Sequence, residues 1–234
     1  MNESKPLIIA HRGAKNLAPE NTIKACELAL EHGASALEVD LRMCGSGEIV
    51  LFHDYWLWRH FRKIKAVRKS PLKELKQLRF NHIAYRYQDN ICTLSEFLAH
   101  FKNTVPINLD IKNLFTNNVL LIRAIVHDVK QHDMQDQIWL SSFSPNFLRV
   151  IKKEFPEIRT GYLFRNFSLV HRYIDKIVKA DAWHPHYRLV SERFLQISRR
   201  LKKEVYIWTI KDEPVFKEMV NQHFNGIITD VLIK

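Results

Sequence analysis

The sequence predicts an α/β protein folded as a (β/α)8 TIM barrel, with a small insertion after the second strand and its hairpin partner. Eight short apolar runs alternate with segments of helical periodicity, which is typical of parallel βα units. The length of 234 residues is close to the roughly 250 residues of a typical barrel of this kind. An open doubly wound sheet is the alternative, but no glycine-rich phosphate fingerprint follows the first strand. We therefore expect one domain over residues 1–234, with the insertion at about 55–92.

The first part of the chain is predicted to hold three strands and two helices. In order, these are a strand at 6–12, a helix at 21–32, a strand at 36–42, its hairpin partner at 48–54 and a helix at 93–101. The first strand is a continuous apolar run, which is typical of a strand buried on both faces. The last of these helices begins with a capping box, because Glu96 follows Thr93 by three residues.

The second part of the chain alternates regularly between strands and helices. Strands are predicted at 105–111, 137–143, 158–164, 180–186, 204–210 and 226–231, and helices at 117–132, 144–155, 168–178, 191–203 and 212–224. Without the hairpin partner, the predicted strands of the whole chain number eight, as a closed barrel requires.

The net charge of +11 is concentrated in one segment. Residues 59–79 hold nine lysines and arginines against one acid, Glu74, and so supply +8 of that charge. The segment indicates an anionic partner, either a phosphate group, an anionic membrane surface or RNA. The rest of the chain is nearly balanced, which argues against a composition-wide nucleic-acid-binding protein.

We expect no targeting or membrane-spanning segment. No apolar run approaches the roughly 18 residues of a membrane-spanning helix, and the first residues lack a secretory pattern. Cys26, Cys44 and Cys92 lack metal-ligand spacing and are typical of reduced thiols. These features predict a cytoplasmic protein, and the basic segment adds the expectation of peripheral contact at the inner face of the membrane.

Charged and histidine side chains are concentrated where the predicted strands end. They are His11 and Arg12 after the first strand, Glu38 and Asp40 on the second, His53 and Asp54 after the hairpin, and Asp110 and Lys112 at the end of the next strand. The C-terminal ends of the strands in a TIM barrel converge on one mouth, so we expect these side chains to face one another.

Glu38 and Asp40 lie two residues apart on a strand, so both side chains point to the same face. Two buried like charges repel unless a cation neutralises them. Hard cations such as Mg²⁺ or Ca²⁺ take carboxylate ligands, and Asp110 is a candidate third ligand. The alternative is structural, in which either carboxylate caps a loop or pairs with Arg12 or Arg42.

His11 and His53 are candidates for an acid/base pair, because imidazole titrates near neutral pH. One would remove a proton from the nucleophile and the other would give one to the leaving alkoxide. Arg12 suits phosphate because its planar fork binds two oxygens at once, and Lys112 adds a point charge. The alternatives are structural histidines and surface ion pairs.

The basic segment also carries a regular apolar spacing. Leu57, Phe61, Ile64 and Val67 follow an i, i+4, i+7, i+10 pattern, which predicts an amphipathic helix. With Trp56, Trp58 and the surrounding cations, such a helix is typical of a membrane-surface element. The alternative is an insertion that packs its apolar side on the barrel rim and exposes a solvated basic face.

The sequence resembles glycerophosphodiester phosphodiesterases in four motifs of matching order and spacing, which are HRG at 11–13, PENT at 19–22, LEVDLR at 37–42 and HD at 53–54. Four further stretches extend the resemblance to nearly the whole chain, namely NLDIK at 108–112, SSF at 141–143, WTI at 208–210 and GIITD at 226–230. The resemblance implies a phosphatidylinositol-phospholipase-C-like TIM barrel. It also implies metal-dependent hydrolysis of a glycerophosphodiester substrate to an alcohol and glycerol 3-phosphate.

The resemblance assigns roles to the strand-end residues. It makes His11 and His53 the acid/base pair, Glu38, Asp40 and Asp110 the ligands of a divalent metal, and Arg12 and Lys112 the phosphate contacts. Glu20, in PENT, is a candidate orienting group, and its alternative is a charge at the helix N-terminus. Trp208 is expected to line the mouth, and its alternative is a core aromatic.

The sequence departs from the family pattern in three places: the one at Asp110 bears on the position of the metal, the one after HD bears on substrate preference, and the one after Asp230 removes no catalytic residue. The family often has Glu at the position of Asp110, the stretch after HD differs, and the chain after Asp230 reads VLIK. One alternative function is a lysophospholipase D acting on membrane lysophospholipids. Another is an inactive barrel that binds anionic membrane or RNA through residues 59–79, but the complete set of His11, His53, Glu38 and Asp40 argues against it.

Overall fold

The computed structural model describes residues 5–80, 87, 89–112 and 118–231, and over these residues it confirms the predicted TIM barrel. Eight parallel strands form the barrel, and one short strand is attached outside it. The barrel strands are β1 (Leu7–His11), β2 (Ala36–Met43), β4 (Ile107–Ile111), β5 (Ile138–Ser142), β6 (Arg159–Phe164), β7 (Ala182–Pro185), β8 (Glu204–Ile210) and β9 (Gly226–Thr229), and the attached strand is β3 (Ile49–Leu51).

Hydrogen bonds close the ring of strands. Each barrel strand lies parallel to its neighbours in chain order, and β1 completes the circle by pairing with β9 on one side and β2 on the other. β3 runs antiparallel to β2, as the CGSG turn predicts. Because all eight strands run in one direction, their C-terminal ends lie at a single mouth.

Helices connect most of the strands and cover the barrel. The described helices are α1 (Ile23–Glu31), α2 (Trp58–Phe61), α3 (Leu72–Leu75), α4 (Leu94–Phe101), α5 (Asn118–Gln131), α6 (Pro145–Glu154), α7 (Leu169–Val178), α8 (Glu192–Arg200) and α9 (Glu213–Met219). None of them combines the length and apolar character needed to cross a bilayer.

Two helix ends test the sequence rules directly. The capping box of α4 is confirmed, because Thr93 accepts from the Glu96 amide and the Glu96 side chain accepts from the Thr93 amide. Helix α9 is shorter than the predicted 212–224. It ends at Met219, and the Asn221 side chain donates to the carbonyl oxygen of Lys217, which satisfies an acceptor that a longer helix would have paired.

The lower part of the barrel interior is a packed core. Trp139 stacks on Tyr206 with their ring centroids 5.2 Å apart, and the buried His184 packs beside Tyr206. A Cβ atom at Gly161 would lie 2.3 Å from His184 Nε2, so glycine makes room for the imidazole. Burial lowers the pKa of His184 to about 3, which keeps the ring neutral. These side chains fill the barrel interior around Gly161 and Tyr206.

The chain that follows β3 does not form the predicted amphipathic helix, and the prediction of one continuous helix over residues 57–67 is wrong. Helix α2 is a single turn, and Arg62 after it has a positive φ of 55°, which ends the helical conformation. The segments on either side of this turn meet in one antiparallel bridge, between Trp56 and Ala66, and the Leu57 amide donates to the Lys65 carbonyl at 2.9 Å. We call residues 55–69 the basic loop.

A second, smaller core lies under the basic loop, outside the barrel. Its buried members are Cys44, Val50, Phe52, Leu57, Val67, Leu75, Leu78, Phe80 and Ile91. Leu57 and Val67 lie on the paired arms of the loop and are both fully buried, whereas Ile64 at the tip is 83% exposed. Three of the four residues of the predicted apolar stripe therefore pack inward, through Leu57, Val67 and the partly buried Phe61.

Candidate active site

A cavity of about 590 Å³ opens at the C-terminal ends of the barrel strands. Its volume is ordinary for a small-molecule site. Seven of the residues singled out in the sequence line its wall, namely His11, Arg12, Glu38, His53, Asp110, Lys112 and Trp208. Asp40 is fully buried and Glu20 is 8% exposed, and both contact Arg12 of the wall. The structure thus brings all nine residues together.

A tight turn after β1 places His11 and Arg12 at the wall. Arg12 and Gly13 have positive φ angles of 64° and 78°, so the chain reverses directly after the strand. A Cβ atom at Gly13 would lie 2.6 Å from the carbonyl carbon of Ala25, so only glycine lets this turn pack on α1. The Arg12 amide donates to the backbone oxygen of Glu38 at 2.8 Å, which holds the turn against β2.

Glu38, Asp40 and Asp110 form a buried cluster of carboxylates. One ligand oxygen from each lies within 4.8 Å of the others. Asp40 and Asp110 are direct neighbours on the paired strands β2 and β4, and Glu38 shares their inward face. Oδ1 of Asp110 is buried and accepts no hydrogen bond from the described residues, and Oδ1 of Asp40 is buried with the Lys112 ammonium beside it as an ion-pair partner. Buried carboxylate oxygens that are not fully satisfied by donors suit a hard divalent cation, so these residues fit the metal that the sequence predicts.

The carboxylates of this cluster titrate differently from free ones. Burial raises the pKa of Glu38 well above its usual value, and the negative charges of Asp40 and Asp110 raise it further. Burial also raises the pKa of Asp110, although Lys112 opposes the shift. Burial acts in the same direction on Asp40, but Lys112 and Arg12 outweigh it and hold the pKa of Asp40 below its usual value. A further cation is needed before all three carboxylates ionise readily.

Two cations already lie against the cluster. Lys112 Nζ is 2.5 Å from Asp110 Oδ2 and 3.2 Å from Asp40 Oδ1. Arg12 Nε is 3.0 Å from Asp40 Oδ2. The ion pair that the sequence left open as an alternative to a metal is thus present for Asp40 and Arg12. It leaves Glu38 without a cationic partner within 4 Å among the described residues.

The PENT motif supplies a polar network behind the wall. Glu20 Oε1 accepts from Arg12 Nη1 at 3.2 Å. The Asn21 side chain both donates to Asp40 Oδ2 and accepts from the Asp40 amide, each at 2.9 Å. Thr22, not Glu20, caps helix α1. Glu20 therefore contacts Arg12 of the cavity wall and does not cap the helix.

The His11 ring is fixed by a residue from the far end of the described chain. His11 Nδ1 is 2.7 Å from Asp230 Oδ1, and the other oxygen of Asp230 is 2.7 Å from Lys15 Nζ. Burial lowers the pKa of His11 to about 4, and the hydrogen bond to Asp230 opposes this shift only partly. At neutral pH the ring is therefore uncharged. With Nδ1–H donated to Asp230, its Nε2 lone pair is free to accept a proton.

The His53 ring is fixed by its neighbour in sequence. His53 Nδ1 is 2.7 Å from Asp54 Oδ1, and Asp54 Oδ2 accepts from Arg59 of the basic loop. Burial would raise the pKa of Asp54, but His53 and Arg59 hold it low. The backbone oxygen of His53 accepts two hydrogen bonds from Arg42, at 2.6 and 2.9 Å. Arg42 therefore orders the loop and does not pair with the carboxylate cluster, which answers the alternative that the sequence left open.

The opposite side of the mouth is aromatic and cationic. Trp208 donates through Nε1 to the backbone oxygen of His184, and its ring meets Phe143 edge to face at 5.3 Å. The guanidinium of Arg165 lies over both rings, 5.5 Å from Trp208 and 5.7 Å from Phe143. Trp208 thus lines the mouth, as expected, instead of lying in the core.

Several residues of this site were not singled out by the sequence. They are Lys15, Asn21, Arg59, Asn108, Phe143, Arg165, His186 and Asp230. Asn21 and Asp230 lie inside the quoted motifs PENT and GIITD, which is the signal that could have found them. Arg59 and Arg165 carry no such signal, because each is one of many cations and only folding shows which ones reach the site.

Comparison with known proteins gives a consistent result. The sequence model of the Glycerophosphoryl diester phosphodiesterase family matches residues 11–234. A protein named glycerophosphodiester phosphodiesterase from Caldanaerobacter subterraneus subsp. tengcongensis is 26% identical over 229 residues, which cover 97% of this chain and 94% of that protein.

Solved structures agree with this match. The structure of an Oleispira antarctica phosphodiesterase in complex with the product sn-glycerol-3-phosphate has a TM-score of 0.88 and 29% identity, covering 97% of this chain and 93% of that one. A glycerophosphodiester phosphodiesterase from Thermotoga maritima has a TM-score of 0.78 and 24% identity, covering 97% and 95% of the two chains, and supports the fold alone.

Proposed function

Since the chain belongs to the Glycerophosphoryl diester phosphodiesterase family and is a phosphodiesterase, we propose that it hydrolyses glycerophosphodiesters to an alcohol and sn-glycerol 3-phosphate with a divalent metal and two histidines. One observation carries the finer part of this proposal. Three buried carboxylates converge within 4.8 Å, and two carboxylate-oriented histidines line the same cavity. Neither feature is needed for the stability of a barrel, and together they suit phosphodiester cleavage.

Glu38, Asp40 and Asp110 would hold the metal, which we take to be Mg²⁺ or Ca²⁺ because all the donors are carboxylate oxygens. When bound, such a cation neutralises charge on a phosphate oxygen and on the cluster itself. Its binding would also favour the ionised form of Glu38, whose pKa burial now raises.

Arg12 and Lys112 would bind the phosphate group. Both line the cavity and both are now paired with the carboxylate cluster. A cation on the cluster would compete for the same carboxylates and so leave the Arg12 fork and the Lys112 ammonium to donate hydrogen bonds to phosphate oxygens. Glu20 would keep the Arg12 guanidinium in its orientation through Nη1.

The two histidines would divide the proton transfers. His11 is the candidate general base, because its ring is neutral and Asp230 fixes the tautomer with a free Nε2. It would take the proton of the attacking oxygen. A water would give sn-glycerol 3-phosphate directly, whereas the neighbouring glycerol hydroxyl would give a cyclic phosphate that a second attack, by water, opens to the same product. His53 is the more exposed of the two rings, and Asp54 holds its orientation through Nδ1. From Nε2 it would give a proton to the leaving alkoxide as the phosphorus–oxygen bond breaks.

The test is a panel of substrates and metals. Glycerophosphocholine, glycerophosphoethanolamine and lysophosphatidylcholine are each assayed with Mg²⁺, Ca²⁺ or EDTA, and release of sn-glycerol 3-phosphate or free headgroup is measured. We expect turnover of the soluble diesters with a divalent cation and none with EDTA. No turnover of any soluble diester with either metal would contradict the proposed function. Turnover of lysophosphatidylcholine alone would favour the lysophospholipase D alternative.

A further inference from the structure

The outer face of the basic loop presents large apolar side chains to solvent. Trp56 is 49% exposed, Trp58 is 50% exposed and Ile64 is 83% exposed. With Tyr55, these residues line a shallow groove of about 410 Å³. Exposed apolar side chains are common singly, but three such residues on one short loop mark an interaction surface.

The loop cannot bury these side chains by folding back on itself. Its inner face is already occupied, because Leu57 and Val67 are fully buried in the second core. The arms that carry them are held by backbone hydrogen bonds, including Val67 N to Tyr55 O at 3.1 Å. The inner face thus anchors the loop, and Trp56 and Ile64 are left pointing away from the protein.

The loop also carries positive charge that no carboxylate of the described residues neutralises. Arg59 is paired with Glu20 and Asp54, and Lys65 is paired with Glu74. The remaining cations of the loop are exposed and have no carboxylate within 4 Å among the residues that the structure describes. They are Arg62, Lys63, Arg68 and Lys69. Arg62 lies over the Trp58 ring and Arg68 donates to Tyr55, so these contacts leave their positive charges uncompensated. The loop therefore combines four positive charges without a carboxylate partner and three exposed apolar side chains.

We propose that the basic loop is a docking surface for an anionic lipid bilayer. The partner must be anionic, since four cations of the loop have no carboxylate partner among the described residues, and a second copy of the chain would bring two such loops into repulsion. It must also take up an aliphatic side chain, because Ile64 is the most exposed part of the tip. A bilayer with anionic headgroups offers both, with indole rings preferring its interface. RNA would pair with the cations but would leave Ile64 in water.

Docking of this loop would place the catalytic cavity near the membrane surface. Asp54 borders the groove between the tryptophans, and its carboxylate also orients His53 in the cavity wall. A lipid-borne diester would then reach the site without leaving the membrane region. This consequence, unlike the docking itself, rests on the proposed function, and it makes lysophospholipids the membrane substrates to test.

The expected preference for anionic bilayers follows from the charge. Each cation near an anionic surface raises the partition coefficient by about fivefold. Four cations then predict a preference for anionic over zwitterionic vesicles on the order of several hundred-fold at low salt, fading as salt rises. Removing two of them, as in Arg62→Gln with Lys63→Gln, is expected to reduce binding about 25-fold.

The test is co-sedimentation of the full chain with vesicles of phosphatidylcholine, with and without phosphatidylglycerol. Variants are the charge pair Arg62→Gln with Lys63→Gln and the apolar pair Trp56→Ala with Trp58→Ala. Matched controls change exposed residues elsewhere, with Arg200→Gln and Lys202→Gln for charge and Tyr173→Ala for an aromatic side chain. Hydrolysis of soluble glycerophosphocholine is measured for every variant, and labelled RNA and light scattering report on the other partners.

Support consists of salt-sensitive binding to the anionic vesicles that falls in both loop variants and stays unchanged in the controls. Soluble diester hydrolysis should remain the same in the loop variants. Equal binding to both vesicle types, binding to neither, or unchanged binding by the loop variants would overturn the proposal. So would a dimer that the tryptophan pair abolishes, or RNA binding that displaces the vesicles. Vesicle binding by a chain that hydrolyses no soluble diester would contradict the proposed function and leave docking intact.

Discussion

Arg59 joins the basic loop to the catalytic cavity, and Arg59→Met tests that connection. Its guanidinium contacts Asp54 Oδ2 and both carboxylate oxygens of Glu20. Asp54 in turn orients His53, and Glu20 accepts from Arg12. Methionine keeps much of the apolar stem and removes the charge and all the donors. The variant therefore loosens two supports of the site without touching a group that we expect to contact substrate.

The size of the effect follows from the contacts and their exposure. A hydrogen bond to a charged group contributes about 1.5–3 kcal/mol when it is shielded from water. The Arg59 side chain is 46% exposed, so solvent screening reduces this to about 1 kcal/mol for each carboxylate. If all of the energy lost with both contacts raises the activation free energy, kcat falls by about 30-fold. If half of it does so, kcat falls by about 5-fold.

The assay is steady-state hydrolysis of soluble glycerophosphocholine at saturating metal, so that membrane contact plays no part. We expect kcat to fall and KM to change less, because the supported groups act in the chemical step. Arg59→Lys should restore part of the loss, since lysine returns the charge but not the fork that reaches two carboxylates. The matched control is Arg123→Met, which removes an exposed ion pair with Glu154 far from the cavity.

Two results would refute the reasoning. If Arg59→Met keeps kcat within about twofold of the original chain, Asp54 and Glu20 hold their partners unaided. If Arg123→Met loses as much activity as Arg59→Met, the effect is a general loss of stability. A melting curve for each variant separates the two cases, because 1 kcal/mol corresponds to a shift of only about 2–4 °C in a chain of this size.

Further predictions concern the histidines and the metal. His11→Asn and His53→Asn should each lower kcat by roughly 10²–10⁴-fold at an unchanged melting temperature, and near-normal turnover with saturating metal would reject the acid/base pair. Exhaustive chelation should abolish activity, and added Mg²⁺ or Ca²⁺ should restore it. The variant Asp110→Asn should need a higher metal concentration for its half-maximal rate. Full activity after chelation would show that the mechanism needs no metal. The ring of His11 should titrate by NMR near pH 4 in the metal-free protein, not near 6.5. Between pH 6.5 and 4 the unfolded chain binds a proton on His11 that the folded chain does not, so the free energy of unfolding should fall as the pH drops through this range. The fall should be less steep in His11→Asn. The same slope in both proteins would contradict this prediction.

The barrel and the core of the site could be predicted because both follow from local order in the sequence. Strand ends in a parallel barrel share one mouth, so polar residues at strand ends, such as Glu38 and Asp110, are brought together whatever the details of the packing. Glu38 and Asp40 lie two residues apart on one strand, so it could also be predicted that their side chains share a face. These relations need no knowledge of distant contacts.

The conformation of the basic loop and the partner of His11 depend on contacts between distant residues, which could not be predicted from the sequence. The spacing of Leu57 and Val67 suits a helix, but it also suits two antiparallel arms joined by a turn, in which both residues lie on the same side. Burial in the second core and the left-handed Arg62 decide in favour of the arms. Asp230 reaches His11 across 219 positions of sequence, and no local pattern reports such a pairing.

The barrel closes where the first strand, β1, pairs with the last strand, β9, so closure needs both ends of the described chain. The residues of the proposed chemistry, by contrast, all lie in its first half. Both histidines and all three carboxylates of the proposed chemistry are present by residue 112, whereas the closing strand begins at Gly226. During translation, the reactive residues are therefore synthesised long before the strand that closes the barrel around them. Until Asp230 emerges, His11 lacks the carboxylate that selects its tautomer, and β1 has an open edge. Refolding experiments should accordingly find helices and strands restored before turnover, with closure over this long loop as the slow step.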